Sequence, residues 1–127
     1  FLLQKEVVQR ICATPLTQSD WGRLGVWCDL FMHRARLFDV PPGAFNPPPK
    51  VMSSVVELRA RDNALMEVEP KKLTRLLELT FGQRRKMLRK SLKGYITEEQ
   101  FETVNIAPNL RPETLTTQQL CQLANLL

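Results

Sequence analysis

The stretch Gly43-Ala44-Phe45-Asn46-Pro47-Pro48-Pro49-Lys50-Val51-Met52-Ser53-Ser54-Val55-Val56 decides how the rest of the chain is read. Consecutive prolines hold φ near about −65° and carry no backbone N–H, so the segment is a stiff, extended rod and neither helix nor central strand. An aromatic side chain stands directly before the rod, and a β-branched, strand-like run follows it. Backbone of this kind fixes a side chain in space with little entropy left to lose. Composition alone describes a proline-capped loop that feeds an edge strand.

Toward the N-terminus, residues 34–40 form a short run that ends at Pro41-Pro42 and reads as a strand. Residues 51–61 read as its partner, in an antiparallel hairpin at the edge of a mostly parallel sheet. Phe1-Leu2-Leu3 opens in an apolar run, so residues 1–4 read as a further strand. A buried strand of that type needs parallel neighbours on both sides and helices on both faces. Too few strands follow to supply them, so the chain reads as the back part of a larger α/β protein. Val7, Val8, Ile11 and Cys12 recur at helical spacing over residues 6–13, and Thr14-Pro15 ends that helix. Residues 17–20 are a polar loop with Asp20 as the expected N-cap. Leu24, Trp27, Cys28 and Phe31 then give the stripe of a second helix.

The pattern changes at Asp62-Asn63. Beyond it strand signals vanish, which divides the chain into an α/β part over residues 1–62 and a small all-α domain over residues 63–127. Pro70 suits a first helical turn, and Leu73, Leu76, Leu77 and Phe81 form an apolar stripe that Gly82 interrupts. Residues 83–93 read as a basic helix. Thr97-x-x-Gln100 and Thr116-x-x-Gln119 each match a capping box, opening helices to about Val104 and to the C-terminus. Leu120, Leu123, Ala124 and Leu127 give the last helix its buried face.

A net charge of +5 favours a polyanionic partner. Cys12, Cys28 and Cys121 are odd in number and far apart, which suits free thiols in a reducing compartment better than a disulfide framework. With only His33 to add, no metal cluster is expected. No apolar run is long enough to span a bilayer and no leader is visible, so the expected setting is the cytoplasm.

The basic segment carries Arg84, Arg85, Lys86, Arg89, Lys90 and Lys93, six cations in eleven residues with no acid among them. Met87, Leu88 and Leu92 can anchor one face while the cations project from the other. Guanidinium forks pair bidentately with phosphate, and a row of cations matches the charge spacing of a nucleic-acid backbone. Read alone the segment is either a solvated face or a phosphate grip. Its charge density favours the grip.

The string F-x-P-P-P-K-V-x-S-x-V-V resembles the late motif of the ribosomal RNA adenine dimethyltransferase family, and F-x-Q-R-R-K resembles the opening of a helix in that family's C-terminal domain. Leu3-Gln4-Lys5-Glu6-Val7-Val8-x-Arg10, Trp21-Gly22-Arg23-Leu24 and Val40-Pro41-Pro42-x-Ala44-Phe45 extend the likeness. Arg111-Pro112-Glu113-x-Leu115 and the closing Leu120-Cys121-Gln122-Leu123-Ala124-Asn125-x-Leu127 resemble its C-terminal signature. One departure is Met52, where relatives often carry Asp.

The resemblance implies the C-terminal part of a Rossmann-like methyltransferase sheet, followed by a helical rRNA-binding domain. In its small-subunit branch it implies dimethylation of two adjacent adenines near the 3′ end of 16S rRNA, on a small ribosomal subunit precursor. S-adenosylmethionine is the implied methyl donor, and a monomer without metal or membrane is the implied form. The family's glycine-rich cofactor loop and its Asn-Leu-Pro-Tyr loop do not occur here. Residues 1–127 are therefore expected to hold no complete cofactor site and to be inactive alone. The family's base-stacking aromatic falls on Phe45, whose alternative is a place in the core. Lys50 meets rRNA phosphate or stays solvated, and Ser53 is expected to bond nearby backbone and shape the loop. A non-catalytic assembly or transcription factor of the same family, and the large-subunit antibiotic-resistance branch, are the competing readings. The P-P-P-K-V string favours the small-subunit branch.

Overall fold

Strand β1 (Leu2–Gln4) passes without a loop into helix α1 (Lys5–Ile11), and a 3₁₀ turn at Pro15–Thr17 leads toward helix α2 (Arg23–Phe31). The computed structural model describes residues 1–17 and 19–127; Gln18, in the loop expected over residues 17–20, lies outside the described residues. Helix α2 hands over directly to strand β2 (Met32–Val40), and after the proline-rich loop the chain returns as strand β3 (Ser53–Ala60).

The N-cap of α2 is Gly22, not Asp20. Trp21 is drawn into the core, 1% exposed, and its Nε1 donates to the Leu115 carbonyl at 2.8 Å, so the helix starts beyond it. The expected stripe on α2 is also rotated. Val26, Cys28 and Leu30 are buried, while Leu24 and Phe31 are exposed. Gly25 sets this: a Cβ there would stand 2.9 Å from the Arg10 carbonyl oxygen and 3.0 Å from the Trp21 ring. Helix α2 turns that bare side against the end of α1.

The sheet order is β1-β3-β2, with antiparallel pairing throughout. The expected β2–β3 hairpin is present, with Asp39 opposite Ser54 and Val40 opposite Ser53, and a register shift between Arg36 and Phe38 makes Leu37 a bulge. Strand β1 departs from expectation. Its one neighbour here, β3, is antiparallel, and Phe1, Leu2 and Leu3 are exposed rather than buried. Flanked on both sides, β3 is the strand that buries Ser54 and Val56.

Helix α3 (Pro70–Phe81) starts on Pro70 and buries Leu73, Leu76 and Leu77. The basic segment is not the long helix its composition promised. It consists of turns around a single-turn helix, α4 (Leu88–Ser91), with Met87 extended before it. The N–H groups of Leu88 and Arg89 donate to the carbonyls of Leu110 and Pro108, both at 2.8 Å. Gly94, at φ +85°, sits in the left-handed region past the helix end. Distant loop carbonyls thus take the donors that open α4, a pairing no local pattern encodes.

Helices α5 (Glu98–Thr103) and α6 (Thr117–Ala124) carry the two capping boxes. Thr116 Oγ1 accepts from the Gln119 N–H at 3.2 Å, and Gln119 Oε1 accepts from the Thr116 N–H at 2.9 Å. Thr116→Ala is expected to cost about 1 kcal/mol in urea unfolding, with Ser tolerated. Equal losses for Ala and Ser would remove the cap from the account.

One hydrophobic core runs through both parts of the chain, bringing Trp21, Val26 and Leu30 against Leu73, Leu77, Leu120 and their neighbours. A polar knot lies beside it. Asp29 Oδ1 accepts from Arg34 at 3.0 Å and Arg61 at 3.1 Å, and Asp29 Oδ2 accepts from Thr117 Oγ1 at 2.5 Å. Arg34 also donates to the carbonyls of Ile11 and Ala13, at 2.8 and 3.1 Å, satisfying acceptors at the end of α1.

Candidate active-site loop and nucleic-acid interface

The loop between β2 and β3 stands on a tied base. Ser54 Oγ donates to Asp39 Oδ1 at 2.5 Å, Lys5 Nζ lies 3.0 Å from Asp39 Oδ2, and the Lys5 N–H donates to the Met52 carbonyl at 2.9 Å. The Ser54 hydroxyl, and after it Lys5, hold the Asp39 carboxyl below its ordinary range. Ser53 is thus the first residue of β3, and the hydroxyl that ties the loop foot belongs to Ser54. Sequence reading passed over Lys5, Asp39 and Ser54. Hairpin register is the signal that could have joined Asp39 to Ser54.

Above this base the chain makes a 3₁₀ turn at Pro42–Ala44, where the Phe45 N–H donates to the Pro42 carbonyl at 3.2 Å. Phe45 then takes an extended conformation, φ −114° and ψ 154°, as the prolines begin. Its side chain is half-buried, and it belongs neither to the core cluster nor to the apolar side chains packed on it. Residues 46–50, Lys50 among them, are exposed. A cavity of about 250 Å³ opens where the returning limb, Val51 and Met52, meets Gln4, Lys5 and Gln9.

The six cations of the basic segment divide by partner. Arg84 donates to the carbonyls of Trp21 and Ser19 and lies over the Phe81 ring, 5.2 Å from its centre. Arg89 pairs with Glu98 at 2.6 Å. Arg85, Lys86, Lys90 and Lys93 are exposed and, among the described residues, make no ion pair. Arg111 joins them, because its Nε donates to the Arg85 carbonyl at 2.9 Å. The contact brings together residues far apart in sequence, so the charge run alone did not include Arg111.

The three cysteines are free. Burial raises each thiol, Cys121 to about 11, so none is a ready thiolate. The glycines do not form a cofactor cradle: Gly25 packs between helices, Gly22 and Gly82 cap them, Gly94 closes a turn and Gly43 lies in the proline loop. Among the described residues no helix is long and apolar enough to cross a membrane.

The model of the family described as ribosomal RNA adenine dimethylase matches residues 1–127. A ribosomal RNA small subunit methyltransferase A from Acinetobacter baylyi is 47% identical over 126 residues, which cover 98% of this chain and 46% of that protein. The protein of the same name from Mesorhizobium japonicum is 48% identical over 125 residues, covering 98% of this chain and 44% of its own length. The crystal structure of a dimethyladenosine transferase from Plasmodium falciparum matches with a TM-score of 0.81 at 21% identity, over 96% of this chain and 54% of that one, a likeness of fold. The chain spans about half the length of the curated relatives it matches. With its proline loop, its basic surface and every residue from 1 to 127 inside a single family model, the chain belongs to the ribosomal RNA adenine dimethylases.

Proposed function

We propose that the full-length protein transfers methyl groups to N6 of two adjacent adenines near the 3′ end of 16S rRNA, on the small-subunit precursor in the cytoplasm, as a monomer. Residues 1–62 complete its catalytic domain and residues 63–127 hold the rRNA. The observation that carries this reading is Phe45, presented outside the core on a tied, proline-stiffened loop, in a chain that fits the family throughout.

The chemistry asks for such a loop. The N6 lone pair of adenine is delocalised into its ring, so methylation needs the base unstacked and held with N6 toward the donor. Enzymes that act on a base atom commonly flip the nucleotide out and stack it against aromatic or apolar side chains. Phe45 supplies one wall of that clamp. Lys5, Asp39 and Ser54 keep the loop feet still, and Lys50 meets phosphate beside the base. S-adenosylmethionine supplies the methyl group, from a site formed outside these residues. Incubating the full-length protein with undimethylated small subunits and labelled S-adenosylmethionine should place dimethyladenosine at two adjacent positions of the 3′ fragment by mass spectrometry. Unlabelled rRNA would overturn the reading.

On the helical side, the phosphate grip falls on Arg85, Lys86, Lys90 and Lys93, with Arg84 and Arg89 holding the segment in place through their internal partners. Replacing any one of the first four by Ala should weaken rRNA binding across sequences and reduce the slope of log K against log salt by roughly one unit. Unchanged slopes for all four would return the segment to a solvated surface.

A further inference from the structure

A groove of about 540 Å³ beside α4 plays no part in the loop chemistry. Its floor is apolar, with Phe101 and Ile96 2% and 6% exposed, while Tyr95 stands 45% exposed at its side. Gly94, at φ +85°, makes the turn that brings Tyr95 to the surface. Arg75 fixes the ring: its guanidinium lies 5.4 Å from the ring centre and donates to the hydroxyl at 2.9 Å. Tyr95 lines the groove and Arg75 does not.

The rim is positive. Lys90 and Lys93 line it without an acidic partner among the described residues, and Glu98, the one acid on the rim, is answered by Arg89 at 2.6 Å. A half-exposed tyrosine, buried apolar side chains and two ammonium groups without an acidic partner complement one kind of ligand: a planar heterocycle joined to a phosphate. Stacking on an aromatic side chain suits any base, whereas a duplex offers no free base face to such a groove. The space is that of a small-molecule site rather than of a helix.

We infer that this groove holds one unpaired nucleotide of RNA, its base on Tyr95 and its phosphate on Lys90 and Lys93. The inference rests on the rRNA-binding reading above and adds a base-stacking position to it.

The test uses the full-length protein and two fluorescent single-stranded RNAs, a short uridine oligomer and the same backbone with abasic sugars, followed by anisotropy. Tyr95→Ala should weaken the uridine oligomer on the order of tenfold and leave the abasic one unchanged, and Tyr95→Phe should keep wild-type affinity for both. An oligomer carrying 5-iodouridine should crosslink to Tyr95 on irradiation. Equal weakening of both oligomers, or of neither, overturns the inference. If Tyr95→Ala spares both yet loosens binding to intact small subunits, the groove belongs to a ribosomal protein. If it abolishes a concentration-dependent self-association, the groove belongs to a second copy; either result also overturns it. Salt-independent binding of both RNAs by the wild type would instead remove the rRNA-binding reading on which the inference stands.

Discussion

Asp29→Ala should lower the free energy of unfolding by about 3–5 kcal/mol, the range for removing one partner from a buried ion pair. Asp29, Arg34 and Arg61 have side chains 19%, 10% and 18% exposed, so water reaches the pair only at its edge and replaces the lost carboxylate poorly. Arg61 would lose its anionic partner, Thr117 Oγ1 would lose its acceptor, and Arg34 would keep only backbone carbonyls. Asp29→Asn retains an acceptor without the charge and should fall between Ala and wild type. Urea titration checks this, with the midpoint moving at constant slope. Thr117→Val combined with Asp29→Ala should cost less than the sum of the two, because both break one contact. A loss below about 1 kcal/mol for Ala would show that Asp29 fastens nothing.

Phe45→Ala should do the reverse, sparing the fold and removing the chemistry. Phe45 lies outside the core, so the melting temperature should stay close to that of wild type. Methylation by the full-length protein should fall roughly tenfold to a hundredfold, the worth of one base–aromatic stack made chiefly in the flipped, reactive state. Tyr or Trp keeps a π face and should retain much of the activity. Leu separates a clamp from a packing role: a core position tolerates it with modest loss, and a clamp does not. If Leu restores turnover, or if Ala costs the several kcal/mol typical of truncating a buried Phe, then Phe45 is core and the clamp fails.

What the sequence made legible was local. Thr97 with Gln100 and Thr116 with Gln119 announced two helix starts, because a capping box is closed by residues three apart. Pro41-Pro42 and the rod from Pro47 bounded a hairpin that the structure contains, while its register was not read. The misreadings were decided by distant partners. Trp21 reaches across the molecule to the Leu115 carbonyl and moves the start of α2 past Asp20. Loop carbonyls at Pro108 and Leu110 fix where α4 begins, which shortened the basic helix. Packing also gives Arg84 and Arg89 side-chain partners within the chain, which the charge run did not reveal. Asp29 gave no local signal, since Arg61 and Thr117 lie 32 and 88 residues away.

The unbroken core has a mechanical meaning under the proposed function. Trp21 and Leu30 from the sheet side are locked among Leu73, Leu77 and Leu120, with Asp29 pinned to Thr117 beside them. That packing leaves no hinge between the two parts in the core itself. On the proposed function, a backbone gripped at Arg85 or Lys86 would be presented to Phe45 at a constant offset, and the molecule would work as a ruler. It would choose its adenine by distance from an anchoring phosphate, much as a jig locates a drill hole, and the letters on either side would matter little.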